Sequence, residues 1–222
     1  LTDDAQAFGG TLDGKQSCAF GDVSATSFFP AKPLGCYGDG GAIFTDDEEL
    51  YTLMHSLRVH GHGASKYDNV RIGINARLDT LQAAILLVKL DLFDEEVKKK
   101  NELRERYDEV LKDTFSTPII PKGRTTSLAQ YTILTESAEE REFLLQEMPK
   151  NGVPVMVYYQ IPMHEQRAFT ELGYAPEDLP VCHSQSQRVL SLPMHAYMTD
   201  EEFEQITSTL LRLTKEIRAK RA

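Results

Sequence analysis

The stretch from Val23 to Thr45 constrains this chain more than any other. Val23 to Phe29 is rich in small, β-branched and aromatic residues and reads as a strand. Gly41-Ala42-Ile43-Phe44-Thr45 reads as a second short strand. Joining them is Ser27-Phe28-Phe29-Pro30-Ala31-Lys32-Pro33-Leu34-Gly35-Cys36-Tyr37-Gly38-Asp39-Gly40-Gly41, a lysine among prolines followed by a loop with four glycines. A lysine held at a strand end can be stripped of water, and desolvation moves an amine toward its neutral, nucleophilic form. The bland alternative is a solvated surface lysine beside a glycine loop. Residues elsewhere have to separate the two readings.

The remaining pattern alternates strands and helices. Leu12-Asp13-Gly14-Lys15 carries the Asp-Gly signal of a tight hairpin. Thr45-Asp46-Asp47-Glu48 opens a helix with acidic residues in its first turn, running to about Arg58. The polar, glycine-flanked segment 61–73 is a loop. A long helical stretch begins near Leu78, where Leu81, Ala84, Ile85, Val88 and Leu92 recur at helical spacing and predict an apolar stripe. From Asp94 to Lys112 it is highly charged, with Leu103, Tyr107, Val110 and Leu111 apolar, giving one bent helix or two in series. Pro118, Pro121 and Gly123 mark 117–127 as a linker. A strand over 131–134, a helix over 139–150 and a strand over 153–159 follow. An extended segment at 189–192 precedes a final helix, capped at Thr199-Asp200-Glu201-Glu202 and reaching about residue 219. The expected fold is α/β, with a first domain over 1–95 and a small α/β domain over 96–222.

A length of 222 residues suits one large or two small domains, and 41% apolar with 26% charged residues is ordinary for a globular protein. The formal net charge of -10 argues against a nucleic-acid or anionic-membrane surface. No apolar run reaches the ~18 residues of a membrane-spanning helix. Cys18, Cys36 and Cys182 are odd in number and lack a CxxC pair, which fits a reducing, cytoplasmic setting, with Cys36 a small buried thiol. His55, His60 and His62 lack partners at ligand spacing and read as helix-end and loop residues, not a metal site. The chain opens Leu1-Thr2-Asp3-Asp4-Ala5-Gln6-Ala7, like the tail of a strand, and is expected to be a fragment.

Asp3, Gln6, Ser27 and Lys32 belong in one argument. A carboxylate beside a lysine Schiff base is the arrangement that pyridoxal 5'-phosphate needs, because it keeps the pyridine nitrogen protonated and the ring an electron sink. A serine hydroxyl and backbone N–H groups suit the phosphate. The carboxamide of Gln6 suits the ring.

These residues resemble the DegT/DnrJ/EryC1/StrS sugar aminotransferases of the fold type I superfamily. The resemblance rests on Asp3-Asp4-Ala5-Gln6-Ala7-Phe8-Gly9, on the run from Ser27 to Gly41, on Gly73-Ile74-Asn75-Ala76-Arg77-Leu78-Asp79-Thr80-Leu81-Gln82-Ala83-Ala84, and on Ser191-Leu192-Pro193-Met194-His195. It implies the C-terminal part of an aspartate aminotransferase-like fold: the remainder of a large mixed-sheet domain plus a small domain. It further implies that Lys32 forms the Schiff base and shuttles protons, Asp3 pairs with the pyridine nitrogen, Gln6 contacts the ring and Ser27 binds the phosphate. Asn75 would reach the partner subunit's cofactor across a homodimer, with Arg77 near the same interface and facing substrate. Read from the residues alone, Asn75 to Asp79 simply cap the helix that follows.

The branch it looks most like transfers an amino group from glutamate to UDP-linked 2-acetamido-3-oxo-glucuronate, for bacterial surface polysaccharide. Where the family often has His-Tyr-Pro-x-Pro-Leu-His, this chain has Tyr158-Tyr159-Gln160-Ile161-Pro162-Met163-His164, so Tyr158 and His164 become the candidate sugar contacts. The Gly-Thr phosphate loop and ring-stacking aromatic of the family's N-terminal half are not in this sequence. Three alternatives stay open: a 3- or 4-aminotransferase for a dTDP- or UDP-linked keto-deoxysugar, a sugar dehydratase (which Lys32 argues against), and a catalytically silent dimerisation module.

Overall fold

In the computed structural model, which describes residues 1–221, the lysine-bearing loop joins two strands of one mixed sheet. The first of two units comprises Leu1–Lys98 and Ile120–Ala129. It holds β1 (Thr2–Asp3), β2 (Thr11–Leu12), β3 (Lys15–Gln16), β4 (Ser24–Ser27), β5 (Gly41–Phe44), α1 (Glu48–Arg58), the first part of α2 (Thr80–Leu111) and β6 (Arg124–Thr125). β4 is central, parallel to β1 and antiparallel to β5. β2 and β3 form the hairpin read from Asp-Gly, with Asp13 at φ 49° and Gly14 at φ 81°, the left-handed pair such a turn requires. The proline-rich linker is more than a connector, because β6 inside it pairs with β2.

Helix α1 starts where its cap allows. The Asp47 carboxylate accepts from Glu49 N–H at 2.8 Å and Leu50 N–H at 2.9 Å. Helix α2 is a single helix, which settles the choice between one helix and two. Its expected stripe is corrected. Leu81, Val88 and Leu92 are 80%, 66% and 50% exposed, while Leu86 and Phe93 are buried with Phe28, Leu34 and Cys36. The inward stripe runs through Leu86, Phe93 and Val97, more than a third of a turn round the helix from the exposed one, and Leu78 packs against the same cluster just ahead of the helix. Both stripes are apolar, so periodicity could not choose between them.

The second unit comprises Lys99–Ile119 and the chain from Gln130 onward. Beyond the end of α2 it contains β7 (Tyr131–Leu134), α3 (Ala138–Lys150), α4 (Pro180–Ser186), β8 (Val189–Leu192) and α5 (Asp200–Arg221). β7 and β8 pair antiparallel. Tyr107, Leu111, Tyr131, Ile133, Leu144, Met148, Leu190 and Leu210 are fully buried in its core, and each large side chain contributes roughly 1.5–3 kcal/mol by leaving water. The expected strand over 153–159 is absent as a ladder. Only Met156 bridges, exchanging hydrogen bonds of 3.1 and 2.7 Å with Ser191. Pro154 has no N–H with which to extend the pairing. α5 opens on a capping box, Glu202 N–H to Thr199 Oγ1 at 3.2 Å and Thr199 N–H to Glu202 Oε2 at 2.8 Å.

Candidate active site

β4 separates two environments. Ser24 and Thr26 are buried and satisfied: Ser24 Oγ donates to Phe20 O at 2.7 Å and Thr26 Oγ1 to Asp4 O at 3.1 Å. Ala25 and Ser27 alternate to the more open face. Register places Asp3 beside Ala25, so the Asp3 carboxylate and the Ser27 hydroxyl share that face. Asp3 is exposed, and its Oδ1 accepts from Ala5 N–H at 3.0 Å. Ser27 Oγ accepts from Phe29 N–H at 3.2 Å, which leaves its O–H available to donate.

Lys32 follows at the end of the same strand. Its N–H donates to Phe29 O at 2.8 Å, closing the turn through Pro30 and Ala31. The side chain is half-buried, not sealed from water, and Nζ makes no hydrogen bond or ion pair among the described residues. The loop around it is held tightly. Phe28 N–H donates to Gly40 O and Cys36 N–H to Phe28 O, both at 2.8 Å. The fully buried Cys36 thiol lies 3.0 Å from Phe28 O and 3.1 Å from Gly38 O. Its glycines are there for close approach: a Cβ on Gly35 would lie 2.5 Å from Pro30 O, and one on Gly41 2.7 Å from Thr26 O. Helix α2 grips the loop from below. Gln82 Oε1 accepts from Tyr37 N–H at 2.8 Å, and Lys89 Nζ donates to Gly35 O. Sequence reasoning passed over Gln82 and Lys89; the available signal was two polar residues bordering the stripe of Leu86 and Phe93.

The other candidates sit on other segments of the chain. Gln6 is exposed in the turn after β1 and lines a cavity of about 410 Å³ with Thr2, Asp4, Ser17 and Thr125. None of Asp3, Ser27 and Lys32 lines it. Burial, with the Asp4 charge adding to it, pushes the nearby Cys18 thiol above its usual range. Asn75 and Arg77 are exposed just before α2 and bonded to each other, Arg77 Nε to Asn75 Oδ1 at 3.3 Å. Tyr158 and His164 belong to the second unit. Tyr158 is half-buried; His164 is buried, with Nε2 3.4 Å from Glu165 Oε1. Glu165 in turn meets His183 Nδ1 at 2.7 Å.

The fold is that of the fold type I aminotransferases. The chain belongs to the DegT/DnrJ/EryC1/StrS aminotransferase family, which its residues 1–211 match. It is 42% identical over 211 residues to the UDP-2-acetamido-2-deoxy-3-oxo-D-glucuronate aminotransferase of Pseudomonas aeruginosa, covering 95% of this chain and 57% of that protein. A solved DegT DnrJ EryC1 StrS aminotransferase from Brucella abortus is 45% identical and superposes with a TM-score of 0.90, over 96% of this chain and 56% of that one. A candidate sugar aminotransferase of Streptococcus pneumoniae, solved in its PLP form, superposes at 0.90 with 26% identity, over 97% and 57%. The chain thus spans just over half the length of the relatives it matches.

Proposed function

We propose that this chain is the lysine-bearing part of an aminotransferase that uses pyridoxal 5'-phosphate to aminate a nucleotide-linked keto sugar. The substrate we infer is UDP-linked 2-acetamido-3-oxo-glucuronate, with glutamate as amino donor and bacterial surface polysaccharide as destination. The observation that carries the reading is the shared sheet face of Asp3 and Ser27 with Lys32 at the strand end. Similarity to the Pseudomonas aeruginosa enzyme supports the sugar.

The donor set fits the cofactor: a primary amine, an exposed carboxylate and a hydroxyl whose proton is available. Bound, the cofactor withdraws electrons from the carbon that bears nitrogen. Lys32 Nζ would take up and return a proton. The Asp3 carboxylate would accept from the pyridine N–H, and Ser27 Oγ would donate to the phosphate. Gln6 would contact the ring. Asn75 serves the cofactor of the partner subunit in a homodimer, Arg77 faces the acidic sugar nucleotide, and Tyr158 and His164 line the sugar side. The exposed apolar stripe Leu81, Val88 and Leu92 supports a helix face covered by the second copy. The domain division at residues 95 and 96 and a cytoplasmic location belong to the same proposal.

A second reading is a catalytically silent dimerisation module. Borohydride reduction of the protein with pyridoxal phosphate separates the two. The expected result is a pyridoxyl mass on the peptide containing Lys32, lost in Lys32→Ala; no trapped mass on Lys32 overturns the enzyme reading. A panel of UDP- and dTDP-linked 3-oxo and 4-oxo sugars with glutamate then tests the substrate, including the keto-deoxysugar alternative.

A further inference from the structure

Two polar positions flank the apolar α2 stripe that packs into the first unit. Leu86, Phe93 and Val97 define it, Leu78 packs beside it just ahead of the helix, and Gln82 and Lys89 border it by helical spacing. Polar side chains at core-facing positions carry a desolvation cost unless they find partners. Both find them in the Lys32 loop. Gln82 Oε1 takes the Tyr37 N–H at 2.8 Å, and Lys89 Nζ donates to Gly35 O while its ammonium lies 5.5 Å from the Tyr37 ring centre. Gly35 is itself buried, so its carbonyl needs that donor.

The ties fall just beyond Lys32. Upstream, the Lys32 N–H is fixed to Phe29 O; downstream, Gly35 and Tyr37 are fixed to the helix. Contact leaves little slack, since Gly35 already passes against Pro30 O and Phe29 O, and Gly38 against Gln82 Nε2. A loop pinned on both sides presents its amine along one direction; a loop pinned on one side presents it along many.

We propose that Gln82 and Lys89 are positioning residues for Lys32: they hold the loop from Ser27 to Gly41 so that its amine is presented from the end of β4. This rests on the reading of Lys32 as the reactive amine. The conformation depends on a charged donor to a buried carbonyl, a bond stronger than a neutral one. Removing it is expected to weaken Lys32 chemistry about tenfold.

The test uses the full chain with Lys89→Met, Lys89→Arg and Gln82→Met. Without cofactor, acetic anhydride labelling across pH, read by peptide mass spectrometry, reports the reactivity of Lys32 against that of exposed Lys15. With pyridoxal phosphate, borohydride trapping reports half-saturation at Lys32. We expect Lys89→Met to slow the labelling of Lys32 relative to Lys15 and to raise half-saturation about tenfold, with Lys89→Arg restoring both and Gln82→Met giving a smaller change of the same sign. Wild-type labelling and half-saturation in Lys89→Met overturn the proposal, as does a change that appears only together with loss of the folded state in both Lys89→Met and Gln82→Met. If the wild-type chain traps no pyridoxyl group, the functional reading fails, and the cofactor-free labelling still decides the role of Lys89.

Discussion

Arg218→Met tests how the second unit holds α5 against α3. Glu140 sits in the first turn of α3 with its side chain fully buried. Arg218 Nε meets Glu140 Oε2 at 2.8 Å and Nη2 meets Oε1 at 3.0 Å, while Nη2 also donates to Thr114 O at 3.1 Å. The variant leaves the carboxylate with the Glu136 N–H at a long 3.4 Å. Breaking a buried pair by removing one partner costs about 3–5 kcal/mol. Arg218 is about a third exposed, and solvent screens part of its charge, so the lower end, about 3 kcal/mol, applies. For a chain of this size that is a fall in Tm of roughly 10 °C. The chain has no tryptophan, so far-UV circular dichroism is the probe. The paired Glu140→Met/Arg218→Met variant removes both charges and is expected to recover stability to within about 1 kcal/mol of wild type. A loss below about 1 kcal/mol in Arg218→Met, or a double variant less stable than either single one, refutes the reasoning.

Gly35→Ala puts a methyl group 2.5 Å from Pro30 O and 2.8 Å from Phe29 O, both backbone atoms that cannot step aside. Urea denaturation is expected to show a loss of about 2–3 kcal/mol, against about 1 kcal/mol for Gly14→Ala, where only the left-handed backbone is strained. Burial raises the phenols of Tyr107 and Tyr131, the bond to Asp108 adding to it at Tyr131. The folded state therefore binds these protons more tightly than the unfolded one, and the stability this gives is complete below about pH 10 and lost as pH rises beyond it. Urea unfolding at about pH 11 should show roughly 1.4 kcal/mol lost per buried phenol, and Tyr107→Phe should flatten the alkaline limb. Thr199→Ala removes the capping box of α5 and is expected to cost about 1 kcal/mol, read as a small downward shift in Tm.

Local chemistry made most of the elements legible. Asp47 and Thr199 mark helix starts because a short oxygen-bearing side chain reaches the first free N–H groups, and both do so in the structure. The Asp13-Gly14 hairpin was equally open, since few residue pairs accept two left-handed positions. The failures required information from far along the chain. β6 pairs with β2 across more than a hundred residues, and a two-residue strand carries no periodicity of its own. Val153 to Tyr159 had strand-like composition, yet a proline removed a donor and one bridge was all that formed.

Helix α2 shows why part of the site was legible and part was not. Asp3, Ser27 and Lys32 stood out as candidates because their side-chain chemistry is rare in combination, and two strands in register bring Asp3 and Ser27 to one face. Gln82 and Lys89 are commonplace residues on a helix surface. Their meaning lies in what they meet, a buried carbonyl and a loop N–H that no sequence pattern marks as needing partners. The apolar stripe of Leu81, Val88 and Leu92 misled for the complementary reason. Apolar side chains gather wherever water is to be excluded, whether by this chain's own core or by a surface laid against it, and the sequence signal is the same in both cases. On α2 the loop ties, not the apolar count, identify the inward face, because only a side chain beneath the loop can reach Gly35 O and Tyr37 N.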